Sequence, residues 1–236
     1  VDAFAKTRNW KIVRQIQNRI LNSYEGDFSK HAPKEIVPRI RMVWQSIPSQ
    51  LAKENKKFIY GIIREGARAK DYELAIQWLS DCGLLLQSFR ITKPGLPLKA
   101  YQEISVFKLF LHDVGLLAAI SGLDERTIID GDKIFSEFKG ALTEQYVMQQ
   151  LRLRSDRFIG YWTNERSTSE VDFIIQEAGQ VVPIEVKSGI NLKAKSFKLF
   201  CEKFTPSKAI RTSLADFKKE SWMTNLPLYA IGQEEF

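Results

Sequence analysis

Ser169-Glu170-Val171-Asp172-Phe173-Ile174-Ile175 and Pro183-Ile184-Glu185-Val186-Lys187-Ser188-Gly189 are the two stretches on which the fold of this 236-residue chain turns. In both, apolar residues alternate with polar ones, the period of a β-strand. Glu185 and Lys187 therefore share one strand face, while Val182, Ile184 and Val186 are expected to bury the other. Glu170 lies two residues before Asp172, so on the same strand face it would be an extra ligand or a supporting partner, and otherwise it is a loop residue that precedes the strand. A catalytic magnesium site needs two or three oxygen ligands close together and keeps part of its hydration shell for substrate phosphate. Asp172 and Glu185, with Glu144 upstream, can supply such a set, and Lys187 would stand beside it. Taken alone, a Glu-x-Lys pair also arises as an ordinary solvated ion pair worth roughly 0.2–1 kcal/mol.

Working outward, Glu144 falls in a helical stretch before the two strands. A basic helical stretch from Lys193 to Phe204 follows them, then a strand from Ala209 to Thr212 and a last apolar segment from Leu226 to Ile231. The expected order is αβββαβ. Lys195, Lys193 and Lys198 open the basic helix, where phosphate contact is one reading and a solvated lysine face is the other.

The order Glu on a helix, Asp on a strand and Glu-x-Lys on the next strand, with 13 residues from Asp172 to Glu185, resembles the PD-(D/E)xK nuclease superfamily, which has a restriction-endonuclease-like fold. That resemblance implies that Glu144, Asp172 and Glu185 hold one or two Mg2+ (or Mn2+) ions. It also implies that Lys187 orients or activates the attacking water and steadies charge on the scissile phosphate. The chain departs from the commonest form of the motif in having Val171, not proline, before Asp172.

Composition limits the remaining classes. Apolar residues make up 44% of the chain, enough for a proper core, and the length suits one large or two small domains. No run of about 18 apolar residues and no signal-peptide pattern occurs, so no membrane partner is expected and a cytoplasmic location is. Cys82 and Cys201 lack histidines at ligand spacing and read as buried, reduced thiols. The net charge of +7 is uneven: residues 1–70 carry +9, residues 71–189 carry −5 and residues 190–219 carry +6. Basic segments beside an acidic middle suit a nucleic-acid backbone, since cation contacts supply most nonspecific affinity.

The first half reads as helical. Trp10, Val13, Ile16, Ile20 and Tyr24 recur at helical spacing and predict a helix ending near Gly26, with this face in the core. Ile36, Ile40, Val43 and Ile47 predict a second, with Pro38 in its first turn and Pro48 marking a break or a restart into Leu51. A third runs from Asp71, as its cap, to Leu79 and stops at Gly83. Leu84 to Ile91 and Ser105 to Leu111 read as strands flanking Lys93-Pro94-Gly95-Leu96-Pro97, and helices followed by such a hairpin suggest a winged-helix-like unit. Val114 to Ile120 reads as a short helix after His112-Asp113. His112 is read as structural, with metal ligation as the alternative, His31 being the one other histidine.

Glu25-Gly26-Asp27-Phe28-Ser29-Lys30, Ala75-Ile76-Gln77-Trp78-Leu79-Ser80-Asp81-Cys82-Gly83-Leu84, Phe107-Lys108-Leu109-Phe110-Leu111-His112-Asp113-Val114-Gly115-Leu116-Leu117 and Leu226-Pro227-Leu228-Tyr229-Ala230 together resemble the region of unknown function that follows the nucleotide-binding domain in a large family of prokaryotic AAA-type ATPases. The resemblance implies an ATPase domain of the same full-length protein as a partner. The chain starts with Val1 and has no Gly-x-x-x-x-Gly-Lys-Ser/Thr loop, so no ATP hydrolysis is expected of it. No Ser-His-Asp set and no dinucleotide-type glycine loop is discernible.

The expected protein is thus α+β: a helical, winged-helix-like domain over 1–130, then a PD-(D/E)xK-like domain over 131–236. The expected activity is DNA binding with magnesium-dependent phosphodiester hydrolysis. The rival expectation is a noncatalytic nucleic-acid or protein interaction module that regulates an AAA-type ATPase.

Overall fold

The computed structural model describes residues 2–53, 56–124, 136–153, 157–164, 169–189 and 194–232. It is a mixed α+β structure in which helices precede an eight-stranded mixed sheet. Two compact units divide the chain, one formed by Val1–Gln87 with Leu109–Leu142 and the other by Ser88–Lys108 with Thr143–Phe236. The domain boundary expected near residue 130 falls outside the described residues.

In the first unit, α1 (Asp2–Thr7) and α2 (Trp10–His31) are followed by α3 (Val37–Leu51), α4 (Tyr60–Ile63), α5 (Ala69–Asp81) and α6 (Val114–Ile120). Asn9 caps α2 by accepting from Lys11 N at 2.9 Å and Ile12 N at 3.4 Å. The helix does not stop near Gly26 but continues to His31, because Phe28 is fully buried against Trp44 and Trp78, with ring centroids 5.6 and 5.8 Å away. Burying that ring outweighs the roughly 1 kcal/mol cost of a helical glycine. The expected core face of α2 is also corrected: Leu21 and Phe28 are its buried residues, while Trp10 and Ile20 are exposed.

Pro48 does not break α3. The helix runs through it to buried Leu51, and Gln50 pins the end by donating to Ile59 O at 2.9 Å and accepting from Ile59 N at 3.0 Å. Asp71 is not the cap residue of α5: it sits in the first turn and accepts from Arg68 N at 3.2 Å. Gly83, at φ +71°, ends that helix as expected. Asp113 caps α6 by accepting from Leu116 N at 2.8 Å.

The sheet order is β2-β1-β3-β4-β5-β6-β8-β7, from β1 (Leu85–Ile91), β2 (Gln102–Leu111), β3 (Ile159–Thr163), β4 (Glu170–Glu177), β5 (Gln180–Val186), β6 (Ile210–Ser213), β7 (Lys218–Lys219) and β8 (Thr224–Pro227). β1 and β2, expected as a separate hairpin, belong to the same sheet as the C-terminal strands, and β1 runs parallel to β3. β3, β4 and β5 are antiparallel neighbours, whereas β5, β6 and β8 run parallel. Two further helices are α7 (Ser136–Leu151) and α8 (Lys195–Phe204). Lys193, the expected start of α8, lies outside the described residues. The expected last strand ends early, at Pro227, which has no N–H for a ladder; a 3-10 turn follows over Leu228–Ala230.

The core of the second unit joins Ile91, Trp162, Ile174, Phe197 and Phe200, with the Trp162 and Phe200 rings 5.0 Å apart. Cys201 is buried here, as expected, but Cys82 is exposed; both are free thiols.

Candidate active site

The site begins with a hairpin. Ala178 and Gly179 connect β4 to β5 with φ of +48° and +73°, the two left-handed residues of a tight turn whose twist suits antiparallel strands. That turn sets the register Glu177↔Gln180, Ile175↔Val182 and Phe173↔Ile184. Continuing it toward the end of β5 brings Asp172 alongside Glu185. Asp172 accepts a 2.8 Å hydrogen bond from Val186 N, which ties its carboxylate to the neighbouring strand.

Glu185 is buried, a correction to the expectation that only one face of β5 is covered: Val182 through Val186 are all buried. Its Oε1 lies 2.6 Å from Lys187 Nζ. Lys187 follows β5 directly and is held by its N–H, which donates to Thr212 O on β6 at 2.9 Å. Glu144 is buried on α7.

The electrostatics follow from packing like charges out of water. Asp172 is held well above the ordinary carboxylate value, first by burial, then by the charges of Glu144 and Glu185, with Lys108 opposing and Glu170 adding. Glu185 is raised too, by burial against the counteracting charge and hydrogen bond of Lys187, with Glu144 and Glu170 adding to the rise. Burial would lower the Lys187 ammonium, but Glu185, Asp172 and Glu144 outweigh it and hold the group above its usual value. Four carboxylates and two lysines therefore act on one another within the second unit.

Lys108 was not legible as part of this set; Phe107 to Leu111 reads as plain apolar strand. Its side chain on β2 is fully buried, ion-paired with Glu170, 3.8 Å from Glu144 Oε2 and 4.8 Å from the centre of the Tyr161 ring. Burial pulls its proton affinity down, yet Glu170, Glu144 and Asp172 reverse that and keep it charged. The signal was available: a lysine inside the run Val106 to Leu111 must be paired if buried. Burial also pushes the Tyr161 hydroxyl up to about 12, with Lys108 opposing.

Among the described residues, no three His, Cys, Asp or Glu side chains are arranged to enclose a metal ion. Glu170 and Glu144 lie against Lys108, Glu185 is paired with Lys187, and Asp172, on the strand beside Glu185, lies in the field of both lysines. A donor set of Asp172 and Glu185 fits a hard divalent cation such as Mg2+, which is commonly bound through one or two carboxylates and retains water. His112 has its ring nitrogens 3.4 Å from Tyr24 Oη and 3.3 Å from Leu84 O, a structural setting. Exposed lysines of the second unit include Lys195, Lys198, Lys218 and Lys219. Two of them lie near acids, Lys198 3.9 Å from Glu202 and Lys218 3.7 Å from Glu220.

No helix among the described residues is long and apolar enough to cross a membrane. No curated protein and no solved structure matches the chain. Residues 139–231 match a family described as "Domain of unknown function (DUF4143)", a stretch that holds Glu144, Glu170, Asp172, Glu185 and Lys187. Residues 1–127, more than half of the chain, match the family described as "Domain of unknown function (DUF8612)", and the chain belongs to that family.

Proposed function

We propose that the second unit is a PD-(D/E)xK-like centre for magnesium- or manganese-dependent phosphodiester hydrolysis, acting on DNA within a protein that also carries an AAA-type ATPase domain. The observation that supports it most is the closure of Asp172 onto the strand end that carries Glu185 and Lys187, through the 2.8 Å bond from Val186 N. Asp172 and Glu185 would hold the cation, with Glu144 assisting through the shared field. When bound, a divalent cation supplies Lewis-acid polarisation of a phosphate oxygen and lowers the pKa of a water.

The chain's own residues do the rest. Lys187, paired with Glu185, stays an ammonium and so serves as a donor, orienting the attacking water and neutralising charge that builds on the phosphate. In the reaction the water oxygen bonds to phosphorus, the bond to the leaving sugar oxygen breaks, and a proton ends on that oxygen. Exposed lysines on α8 and β7 give the backbone of a nucleic acid its counter-charges. The helical first unit would add duplex contacts.

A second reading draws on Lys108. A buried lysine that occupies Glu170 and faces Glu144 also suits a structural charge cluster in a noncatalytic module that binds nucleic acid or regulates the ATPase. Cleavage of a duplex oligonucleotide separates the two. With Mg2+ or Mn2+, wild type should cut, and Lys187→Ala should lose about 100-fold or more in rate, the scale of removing one transition-state donor, with little change in binding. Cutting that survives both Lys187→Ala and Asp172→Asn would refute the assignment. Absence of cutting by the full-length, ATPase-containing protein would favour the module.

A further inference from the structure

We propose that Lys108 is a built-in cation of this centre, standing where a second metal ion would otherwise sit, so that the centre takes one divalent ion per chain. The inference rests on the reading of Asp172 and Glu185 as ligands and adds what the other half of the acidic cluster does.

Three observations carry it. Glu170 precedes Asp172 by two residues on β4 and so is the natural extra ligand on that strand, yet its carboxylate is ion-paired with Lys108. Lys108 Nζ also lies 3.8 Å from Glu144 Oε2, so one ammonium faces two acids. Its side chain has no exposed surface and its ammonium lies 4.8 Å from the Tyr161 ring centre, an enclosed position in which a surface lysine's freedom to leave is missing.

Position then sets the count. A second ion would have to displace a buried ammonium from its partners, and a buried charge parted from its pair is strongly disfavoured. In a two-metal centre the ions stand roughly 3.5–4 Å apart and share bridging acids; here the bridging role between Glu144 and Glu170 belongs to an amine. Lys108 also lies within residues 1–127 while the acids lie within 139–231, so the centre is assembled from both matched stretches.

Mn2+ counting tests this on the whole chain, by calorimetric titration together with electron paramagnetic resonance of the bound ion. Wild type should bind one Mn2+ with no manganese–manganese coupling. Lys108→Met removes the internal cation and should bind two, with coupling between them, whereas Lys108→Arg should keep the count at one. Two ions on wild type would overturn the inference while leaving the metal site itself standing. A folded Lys108→Met chain that binds a single ion as wild type does would overturn it as well. Should Lys108→Met not fold by circular dichroism, the wild-type and Lys108→Arg counts decide. No Mn2+ on wild type would instead refute the metal-site reading, and this inference would fall with it.

Discussion

Asp172 shows what a buried acid among other acids costs its host. Its carboxyl is raised by burial and by Glu144 and Glu185, so the native state holds that proton more tightly than the unfolded chain does. Between the ordinary carboxylate value and the raised one, the native state therefore binds more protons, and stability falls as pH climbs through that window. Asp172→Asn keeps an oxygen for Val186 N and carries no charge. Without metal, it should melt at a higher temperature than wild type, and the gap should widen as pH rises from the acid side of that window to neutrality. Thermal melts across a pH series check this; a variant less stable than wild type at neutral pH would contradict it. At this scale the sequence was readable where a local pattern exists: Glu185 and Lys187 stand two residues apart, and Asp172 lies on the preceding strand, next in register to the Phe173↔Ile184 pair. Lys108 escaped because its partners come from β4 and α7, segments distant in sequence, and no local period marks a long-range ion pair.

Elements were legible where a cap or a period marks them and obscure where tertiary burial overrides a local rule. Gly83 announces a helix stop that holds and the short helix expected over Val114–Ile120 is found, while Asp71, expected as a cap, lies inside the first turn of α5. Pro48 and Gly26 announce breaks that do not occur: burial of Phe28 outweighs the glycine, and beyond Pro48 the helix end is held by buried Leu51 and the paired hydrogen bonds of Gln50. The parallel pairing of β1 with β3 was invisible, since strand partners many residues apart leave no trace in local alternation. That pairing depends on Gly160, where an added Cβ would come within 2.8 Å of Ile91 Cγ1 and 3.0 Å of the Phe89 carbonyl oxygen. The carbonyl belongs to the backbone of β1 and cannot swing aside. Gly160→Ala should cost about 1–3 kcal/mol, the usual penalty of overpacking, read as a lower denaturant midpoint. An unchanged midpoint would show that the two strands are less closely apposed.

For the whole molecule, charge placement is the property most directly read from sequence, and it carries the proposal of a polyanion partner. With +9 over residues 1–70 and +6 over residues 190–219, affinity for a duplex oligonucleotide should fall steeply and linearly on a log–log plot against salt. Fluorescence anisotropy that detects no binding at low salt would remove nucleic acid as the partner and favour a protein. The central claim is more local, that Asp172 and Glu185 form a cation site beside Lys187, and anomalous diffraction from Mn2+-soaked crystals tests it most directly. The account predicts one anomalous peak within about 2.0–2.4 Å of carboxylate oxygens of both Asp172 and Glu185, the range of hard divalent ions with oxygen ligands, absent in Asp172→Asn crystals. No peak at that position under saturating Mn2+, or a peak that persists there in Asp172→Asn, would contradict it.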